Sequence, residues 1–591
     1  MEIAGRKMSP ALIVGAGMFA TAFIGFAGIT PHLTGGGDNA GYIAEAEAWL
    51  ALGHRANLYE AGTPYDGLKP PLFPFLLAIV EWIFGRNVAA MKAMLVLFAS
   101  GSVWAAWWSL RACLAINAKP DEADKNALTA ALIAFWFSLC PTLTLYTHDV
   151  LSDVPFTFFA LLAIGLSARV VLLQKLFLNG VLLLLVLTVA TMLRSAGIIV
   201  AGACFSFLAL EAVTRRRDVV WFAIAKVSAA VAVLTLGLLL YQQLGSNSYL
   251  SLIGRPLEQA QDSVLHSGEL QPIAAPRFSD DSFVSHIVRR GTYYACFLPA
   301  EIAGYDGLGP KEAIIVLAVL AALVAFAGAL RLWREGRRAI PVCWTLYLGA
   351  LLLVPWLESR YYLPMLPLYL CLFWCGAEWI IRSIAPRSTF LLVLFTLPLL
   401  VLPAVSLFGT FFMAGHEQIE GATYVEWLAG VFVAAVLAFV AVRSESALLR
   451  QSGMTYCIAA MLLILGLSRC IAENILRERN RVPVRSAPGW PELYEASLWL
   501  KNNARPDDHV ISGRASLVWF WSGLRGIIIS DAKNAQTQKK LAAAQWAILD
   551  GIGEDLWSER VLKPLLVAQK DKWSVAWTGK NTVVLKRRTG N

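Results

Sequence analysis

The sequence predicts an α-helical polytopic membrane protein that carries a small α/β domain at its C-terminal end. Three observations predict this fold class: 57% of the 591 residues are hydrophobic, only 15% are charged, and about 13 apolar runs are close to 20 residues long. Soluble domains contain about 25% charged residues, so the composition excludes an ordinary cytosolic protein and a disordered one. A helix of about 20 apolar residues crosses the hydrocarbon core of a bilayer.

The predicted membrane domain covers residues 1–471 and holds all the predicted spans. The first span follows a short basic start, and its length favours an uncleaved span over a signal peptide. The predicted spans are 9–29, 88–110, 127–147, 154–173, 177–193, 196–213, 219–241, 312–331, 340–356, 362–381, 388–415, 424–443 and 453–471.

The apolar segment Pro71–Phe84 is shorter than these spans, follows Pro70 and contains Glu81. These properties are typical of a helix that lies in the membrane interface. If the segment does not cross, the basic clusters all fall on one side, as the positive-inside rule requires. The clusters are Arg6/Lys7, Arg111/Lys119/Lys125, Arg169/Lys175, Arg215/Arg216/Arg217, Arg331/Arg334/Arg337/Arg338, Arg382/Arg387 and Arg443/Arg450.

The net charge of +9 is therefore interpreted as an orientation signal and not as a nucleic-acid-binding surface. We expect no nucleic acid partner. The predicted topology places the N-terminus in the cytoplasm and the C-terminus on the exterior side of the membrane. Three exterior regions follow, at residues 30–87, 242–311 and 472–591.

The last exterior region, 472–591, is predicted to be a small α/β domain without cysteines. Its length of about 120 residues is enough for a core of its own. Hydrophobic patterning predicts one helix and four short strands. They are the helix Leu493–Asn503 and the strands His509–Ser512, Gly526–Ser530, Trp573–Trp577 and Thr582–Lys586.

Polar side chains gather where the spans meet the predicted outer surface. Few ionisable residues lie near the middle of the spans, which argues against an ion-coupled transporter. Asp38 follows three glycines and begins a helical stretch that contains Tyr42. Two interpretations are open for Asp38: it caps the helix, or it acts as a general base at the membrane boundary.

A second polar turn joins the third and fourth predicted spans and contains His148, Asp149 and Asp153. Asp153 precedes Pro155, so it suits the first turn of the next helix. A metal site formed by the three side chains is the alternative.

A third polar segment contains Glu358, Arg360 and Tyr361. Arg360 is suited to contact an anionic phosphate, because its guanidinium group offers several fixed donors. A simple interfacial ion pair with Glu358 is the alternative. Arg194, in a short outer turn, is open to the same two interpretations. The exterior loop adds Arg255, His266, His286, Arg289 and Arg290, for which a solvated loop face is expected.

Taken in order, these segments resemble the GT-C superfamily of lipid-linked-sugar glycosyltransferases. The similarity is greatest to the branch of protein O-mannosyltransferases and lipid A aminoarabinose transferases. It covers the first 215 or so residues well and the middle of the chain patchily. The matching segments are Gly37-Asp38-Asn39-x-x-Tyr42, Lys69-Pro70-Pro71-Leu72-Phe73-Pro74, Leu151-Ser152-Asp153-Val154-Pro155 and Arg360-Tyr361-x-Leu363-Pro364-x-x-Pro367.

The resemblance implies a GT-C fold with about 13 spans and a polyprenyl-phosphate-linked sugar donor used at the outer face. It implies that Asp38 is the catalytic carboxylate and Asp153 the second acidic residue of the site. Arg360, Arg194 and, more weakly, Lys69 would contact the donor phosphate. An inverting transfer to an envelope glycan, lipid A or a protein is expected. No cofactor is firmly implied, and a divalent metal is not favoured.

Two other functional classes compete with this interpretation. An outer-face glycan polymerase or ligase would use a large exterior loop rich in arginine and histidine, and 242–311 has such residues. A transporter of lipid-linked glycans would show charges in the middle of the spans or broken helices in paired repeats, and neither is evident. The early acidic residues and the Pro-Pro segment favour the glycosyltransferase.

Overall fold

The computed structural model describes most of the membrane region and most of the C-terminal region. The described residues are 2–3, 6–7, 9–33, 37–61, 69–215, 291, 294, 311–353, 359–384, 489–529, 535–552 and 557–588. Four predicted spans (219–241, 388–415, 424–443 and 453–471), nearly all of the loop 242–311, and Glu358 lie outside the described residues.

The described part of the membrane region consists mainly of helices. A two-residue hairpin of β1 (Glu2–Ile3) and β2 (Arg6–Lys7) precedes them. The helices are α1 (Pro10–Ala27), α2 (Gly37–Leu52), α3 (Leu72–Phe84), α4 (Val88–Ala115), α5 (Ala123–Ser138), α6 (Pro141–Thr147), α7 (Asp153–Val171), α8 (Leu176–Leu193), α9 (Gly197–Arg215), α10 (Lys311–Arg334), α11 (Ala339–Leu353) and α12 (Leu366–Ile384). Two 3₁₀ turns, Pro120–Glu122 and Ser359–Met365, precede α5 and α12.

Helices α4 and α7 form the centre of the bundle. α4 packs against α1, α5 and α7, and α7 also packs against α8 and α9. Most side chains of α7 are buried, whereas the peripheral helix α8 exposes large apolar side chains such as Phe177 and Leu185. Helices that are apolar on all sides are expected where one side meets the bundle and the other meets lipid.

Six described helices are long and apolar enough to cross a membrane. They are Pro10–Ala27, Val88–Ala115, Asp153–Val171, Leu176–Leu193, Gly197–Thr214 and Arg360–Ile380. Leu72–Phe84 has 13 residues and is therefore about 20 Å long, which is less than the thickness of the hydrocarbon core. The total of 13 spans stays a prediction.

The predicted span 127–147 is divided in the structure into α5 and α6. Helix α5 ends with short-range bonds from Leu139 N to Trp136 O (3.0 Å) and from Cys140 N to Phe137 O (3.1 Å). Pro141 then starts α6, because proline has no N–H to continue the hydrogen-bond ladder and is favoured at the first position of a helix.

One end of the bundle carries Asp38 and Asp153, and the opposite end, called the basic end here, carries most of the basic clusters. At the basic end, charged groups form ion pairs, and all of these except Arg331–Glu335, which are four residues apart, join different elements. These pairs are Lys125–Glu378 (2.7 Å), Arg331–Glu378 (2.9 Å), Arg331–Glu335 (2.8 Å), Arg337–Glu122 and Arg338–Glu211 (3.4 Å).

The C-terminal region contains a five-stranded mixed sheet with short helices around it. The order of the strands is β4-β3-β5-β7-β6; β3 is parallel to β4 and β5, and β7 is antiparallel to β5 and β6. The strands are β3 (His509–Ile511), β4 (Arg525–Ile527), β5 (Trp546–Leu549), β6 (Trp573–Thr578) and β7 (Val583–Arg587). The helices are α13 (Trp490–Asn503), α14 (Ala515–Ser522), α15 (Ala535–Ala543) and α16 (Lys563–Val567), with a π-helical turn at Ser558–Leu562 and a 3₁₀ turn at Lys570–Lys572.

The predicted helix and the four predicted strands of this region are present within a few residues of the expected bounds. The sequence missed β5, the central strand of the sheet, because Trp546–Leu549 follows an alanine-rich helical run and has no alternating pattern. The division of the chain into two domains stays a prediction.

Candidate active site

Asp38 lies in the first turn of α2 and forms an ion pair with Arg360 from the 3₁₀ turn before α12. Arg360 Nη1 donates to Asp38 Oδ2 at 2.9 Å, across 322 positions of sequence. The Asp38 side chain is 21% exposed and the Arg360 side chain 12%. The carboxylate that the sequence offered as a cap or a base is thus held by a cation.

Asp153 is the first residue of α7 and pairs in the same way with Arg194, the residue that ends α8. Arg194 Nη1 donates to Asp153 Oδ1, and the Asp153 side chain is only 2% exposed. A buried carboxylate is stable in its charged form when a cation and hydrogen bonds compensate it.

Tyr361 lies between the two ion pairs. Its ring is 4.6 Å from the guanidinium carbon of Arg194 and 5.4 Å from that of Arg360. The Tyr347 hydroxyl from α11 donates to the Tyr361 carbonyl at 2.9 Å, which fixes the backbone at this point. The aromatic face attracts both cations and joins the two pairs into one site.

Lys69 and Tyr42 lie beside these pairs. The ammonium of Lys69 is 4.8 Å from the centre of the Tyr42 ring, and the Tyr42 hydroxyl is 3.3 Å from Ser152 Oγ. Burial raises the pKa of Tyr42 and the charge of Asp38 raises it further, while Lys69 and Arg194 oppose the rise. Tyr42 is therefore protonated at neutral pH.

Gly41 makes room for the lysine. A Cβ atom at this position would lie 2.4 Å from the Lys69 Nζ, so a larger residue would displace the ammonium from the surface of α2. Lys69 itself is 5% exposed.

Two supporting side chains, Glu45 and Arg55, were not among the predicted site residues. Arg55 donates to Glu45 Oε2 at 2.6 Å and also to the backbone carbonyl of Lys69. Glu45 is 3% exposed. The signal for Glu45 was present in the sequence, because positions 38, 42 and 45 share one face of a helix.

A third residue that was not predicted, Lys92, is completely buried near the start of α4. Its Nζ donates to Thr30 Oγ1 at 3.0 Å and to the His32 carbonyl at 2.6 Å. These bonds hold the chain that leads to α2. The sequence could not predict this role, because a single lysine inside an apolar run forms no recognisable motif.

His148 and Asp149 lie in the turn before Asp153 and are buried, at 2% and 4% exposure. Among the described residues, no group of three or more His, Cys, Asp and Glu side chains could hold a metal ion. The metal interpretation of His148, Asp149 and Asp153 therefore has no support in the described part of the chain, while the role of His148 and Asp149 stays a prediction.

The C-terminal sheet is joined to the segment that follows α2. Gly526 N donates to Tyr59 O at 2.7 Å, and Ala61 N donates to Gly526 O at 2.9 Å, forming a parallel bridge opposite Glu60. Helix α14, next to β4, packs against α2. The sequence did not predict this contact.

Arg86, between α3 and α4, connects the same two parts of the molecule. Its guanidinium carbon is 4.9 Å from the Trp519 ring and 4.4 Å from the Phe520 ring, and its Nε is 2.7 Å from Glu47 Oε1 on α2. Near the start of α2, His32 makes an edge contact of 6.4 Å with Tyr494. The helix that carries Asp38 is thus packed against the C-terminal region along its length.

The site contains three cations, Lys69, Arg194 and Arg360, and two carboxylates, Asp38 and Asp153. These three partly buried cations can attract an anion. A phosphate group suits them, because guanidinium groups bind phosphate oxygens with several directed hydrogen bonds.

Comparison with solved structures finds the same fold in two transferases. ArnT from Cupriavidus metallidurans bound to undecaprenyl phosphate aligns with a TM-score of 0.57 at 13% identity, over 98% of each chain. The archaeal oligosaccharyltransferase AglB from Archaeoglobus fulgidus, in complex with an inhibitory peptide and a dolichol-phosphate, aligns with a TM-score of 0.52 at 12% identity. That alignment covers 98% of this chain and 74% of AglB.

No family model and no curated protein sequence matches the chain. The structural likeness shows the fold, and it confirms the GT-C fold that the sequence predicted.

Proposed function

We propose that this chain is an integral membrane glycosyltransferase that takes a sugar from a polyprenyl-phosphate-linked donor. The single observation that carries the proposal is the pair of Asp–Arg contacts around Tyr361, with Lys69 beside them. This arrangement combines binding groups for a phosphate with a carboxylate that can accept a proton. The structural likeness to ArnT bound to undecaprenyl phosphate supports a lipid-linked phosphate as the ligand.

The cations would hold the leaving phosphate. When the bond between the sugar and the phosphate breaks, the polyprenyl phosphate leaves as a stable anion that needs no proton from an acid. Arg360, Arg194 and Lys69 would stabilise the negative charge that develops on it.

The two carboxylates are proposed to have different roles. Asp38 is 21% exposed and can meet an acceptor, whereas Asp153 is 2% exposed and faces Arg194. Asp38 would accept the proton of the acceptor nucleophile as that group attacks the anomeric carbon of the sugar. Asp153 would hold Arg194 in the orientation that receives the phosphate.

Donor binding would also prepare the base. In the structure Arg360 Nη1 donates to Asp38 Oδ2, so this carboxylate oxygen is occupied by the guanidinium group. A phosphate that draws Arg360 towards itself would weaken this contact and leave Asp38 free to act. A single displacement of this kind inverts the configuration at the anomeric carbon.

The acceptor is proposed to be an envelope glycan, lipid A or a protein at the outer face of the bacterial inner membrane. The experiment that tests the function is mass spectrometry of lipid-linked sugars and surface glycans from cells with and without the gene. Accumulation of a polyprenyl-phosphate sugar in cells without the gene would support the proposal and identify the donor. Identical lipid and glycan profiles in both cells would contradict it.

A further inference from the structure

Arg111 and Arg169 lie at the basic end of α4 and α7, far from the Asp–Arg pairs. Asp153 begins α7 and Arg169 lies 16 residues later, so about 24 Å of helix separate them. We infer that the two arginines form a binding site for the phosphate of an anionic phospholipid headgroup. This inference does not depend on the proposed transferase function.

The two helices run parallel where they meet. Their contacts advance together, from Phe98 against Phe158 to Trp108 against Gly165. A Cβ atom at Gly165 would lie 2.4 Å from Trp108 Cζ3, so the glycine allows the indole ring to rest directly on α7. Residues 108 and 165 therefore lie at the same height in the bundle.

Both arginines lie C-terminal to the contact between Trp108 and Gly165, on the same side of it along the two parallel helices. Arg111 is three residues beyond Trp108, and Arg169 is four residues beyond Gly165. At the rise of an α-helix these steps are about 4.5 Å and 6 Å, so the two Cα atoms lie at nearly the same height. Consistent with this proximity, the charge of Arg111 acts on Arg169.

The Arg169 guanidinium group rests on an indole ring, and the Arg111 guanidinium group lies within cation–π range of the neighbouring one. The Arg169 carbon Cζ is 4.2 Å from the Trp108 ring, and the Arg111 carbon Cζ is 5.7 Å from the Trp107 ring. Stacking occupies the face of a guanidinium group and leaves the N–H groups in its plane able to bind an anion. The aromatic contacts thus orient the two guanidinium groups and leave their N–H groups available to an anion.

Neither arginine of this pair has a carboxylate partner among the described residues. Within the described ranges, no ion pair involves Arg111 or Arg169. Three other arginines of the basic end, Arg331, Arg337 and Arg338, each have a carboxylate within 3.4 Å. Two like charges beside each other repel, so an anion placed between them is favourable.

The height of the site identifies the anion as part of a lipid. Arg111 and Arg169 lie close to the ends of two apolar helices, at Ala115 and Val171, where a bilayer places its headgroups. Trp104, which is 37% exposed, stacks on Trp108 at 6.1 Å and extends the aromatic surface towards the acyl chains. A phosphate at this height with apolar chains below it is a phospholipid.

The test is native mass spectrometry of the purified full-length protein in detergent, titrated with phosphatidylglycerol, phosphatidylcholine or inorganic phosphate. The wild type is expected to retain phosphatidylglycerol in preference to phosphatidylcholine. The double variant Arg111→Gln/Arg169→Gln is expected to bind phosphatidylglycerol about tenfold more weakly, because two charge-assisted contacts are lost. The matched control Lys119→Gln/Lys175→Gln removes two exposed cations and should bind like the wild type.

Three results would overturn the inference. Equal weakening in the lysine control would show only a general attraction of the basic end for anions. Unchanged affinity in the arginine variant would show that these side chains do not hold the lipid, and retention of inorganic phosphate as strongly as phosphatidylglycerol would indicate a soluble ligand. If the glutamine variant unfolds, Arg111→Lys/Arg169→Lys keeps the charges and removes the planar donors, and weaker lipid retention by this folded variant is then the expected result.

Discussion

The ion pair of Asp153 and Arg194 shows how burial changes what a substitution does. Asp153→Asn would leave the guanidinium group, which is 14% exposed, without its charge partner. Loss of one partner of a buried pair costs about 3 kcal/mol or more of unfolding free energy. We expect Asp153→Asn to lower both the thermal stability of the purified protein and the rate of sugar transfer.

A double variant separates the two effects. Asp153→Leu/Arg194→Met replaces both charges with apolar groups, which often restores stability at a buried pair. It is expected to melt near the wild-type temperature and still fail to transfer sugar. Transfer at the wild-type rate by this variant would show that the pair is only structural.

At the residue scale, several candidate site residues from the sequence lie together in the structure, but their contacts were not predictable. Asp38, Asp153, Arg194 and Arg360 were all recognisable because each is a charged residue at the end of an apolar run. The pairing of Asp38 with Arg360 was not predictable, because it joins residues 322 positions apart and depends on how the helices pack.

At the scale of elements, the contact between β4 and the segment after α2 requires a residue without a side chain at Gly526. A Cβ atom there would lie 2.3 Å from the Ala515 Cβ and 3.3 Å from Tyr59 O. We expect Gly526→Ala to break the bridge to Tyr59 and Ala61, displace α2 and lower the transfer rate several-fold. Hydrogen exchange of the peptide that contains residues 59–61 should become faster.

Gly202→Ala in α9 is the matched control, because a Cβ atom there meets nothing within 4 Å. It should change neither hydrogen exchange at residues 59–61 nor transfer. Faster exchange in Gly526→Ala with an unchanged transfer rate would show that the C-terminal region does not position α2 for the reaction.

Helix α3 contains a carboxyl group whose titration should affect stability near neutral pH. Burial raises the pKa of Glu81 to about 7, Glu47 adds to the rise, and Arg86 opposes it. The pKa in the folded protein is above its ordinary value of 4.5, so folding favours the protonated form. Stability is therefore highest below the ordinary pKa and is lost as the pH rises through about 7.

We expect Glu81→Gln to melt at a higher temperature than the wild type at pH values above this range, and to show a weaker pH dependence between acid and neutral pH. Thermal melting in one detergent over a pH series measures both. Parallel melting curves for the two proteins at every pH would contradict the assignment to Glu81.

The elements themselves were predictable where their patterns were long and regular. The break between α5 and α6 occurs at Pro141. Hydropathy alone did not predict this break, because a proline leaves the run 127–147 apolar enough to be taken as one span. The interfacial helix was recognised from its length and its Pro-Pro start, and its existence at Leu72–Phe84 agrees with this. Its position relative to the membrane stays a prediction.

At the scale of the whole molecule, the orientation of the chain depends on whether Pro71–Phe84 crosses the membrane. If it does not, a reporter fused after Arg217 is expected to appear in the cytoplasm and one fused after Asn591 outside it. Accessibility labelling of the two fusions in intact cells measures this. A reversed result would contradict the topology and place Asp38 on the inner face.

Composition predicted a membrane protein, and the order of the motifs predicted the fold that the solved transferases share. The packing of the C-terminal region on α2 could not be predicted, because it depends on backbone hydrogen bonds and on contacts between distant segments. The site is therefore assembled from distant parts of the chain: the helix α2, Lys69, the turns at Asp153 and at Arg194, and the segment at Arg360.

The central claim is that Asp38 is the base of a sugar transfer from a polyprenyl-phosphate donor. Its most direct test is the turnover of such a donor by the purified protein and by two variants, Asp38→Asn and Asp124→Asn. Both aspartates lie in the first turn of a helix, and Asp124 is exposed at the opposite end of the bundle, so it controls for the loss of a helix-end charge.

Asp38→Asn is expected to fold, insert and bind donor, and to lose transfer by a factor of about 10² to 10⁴, while Asp124→Asn turns over like the wild type. Wild-type turnover by Asp38→Asn would contradict the account.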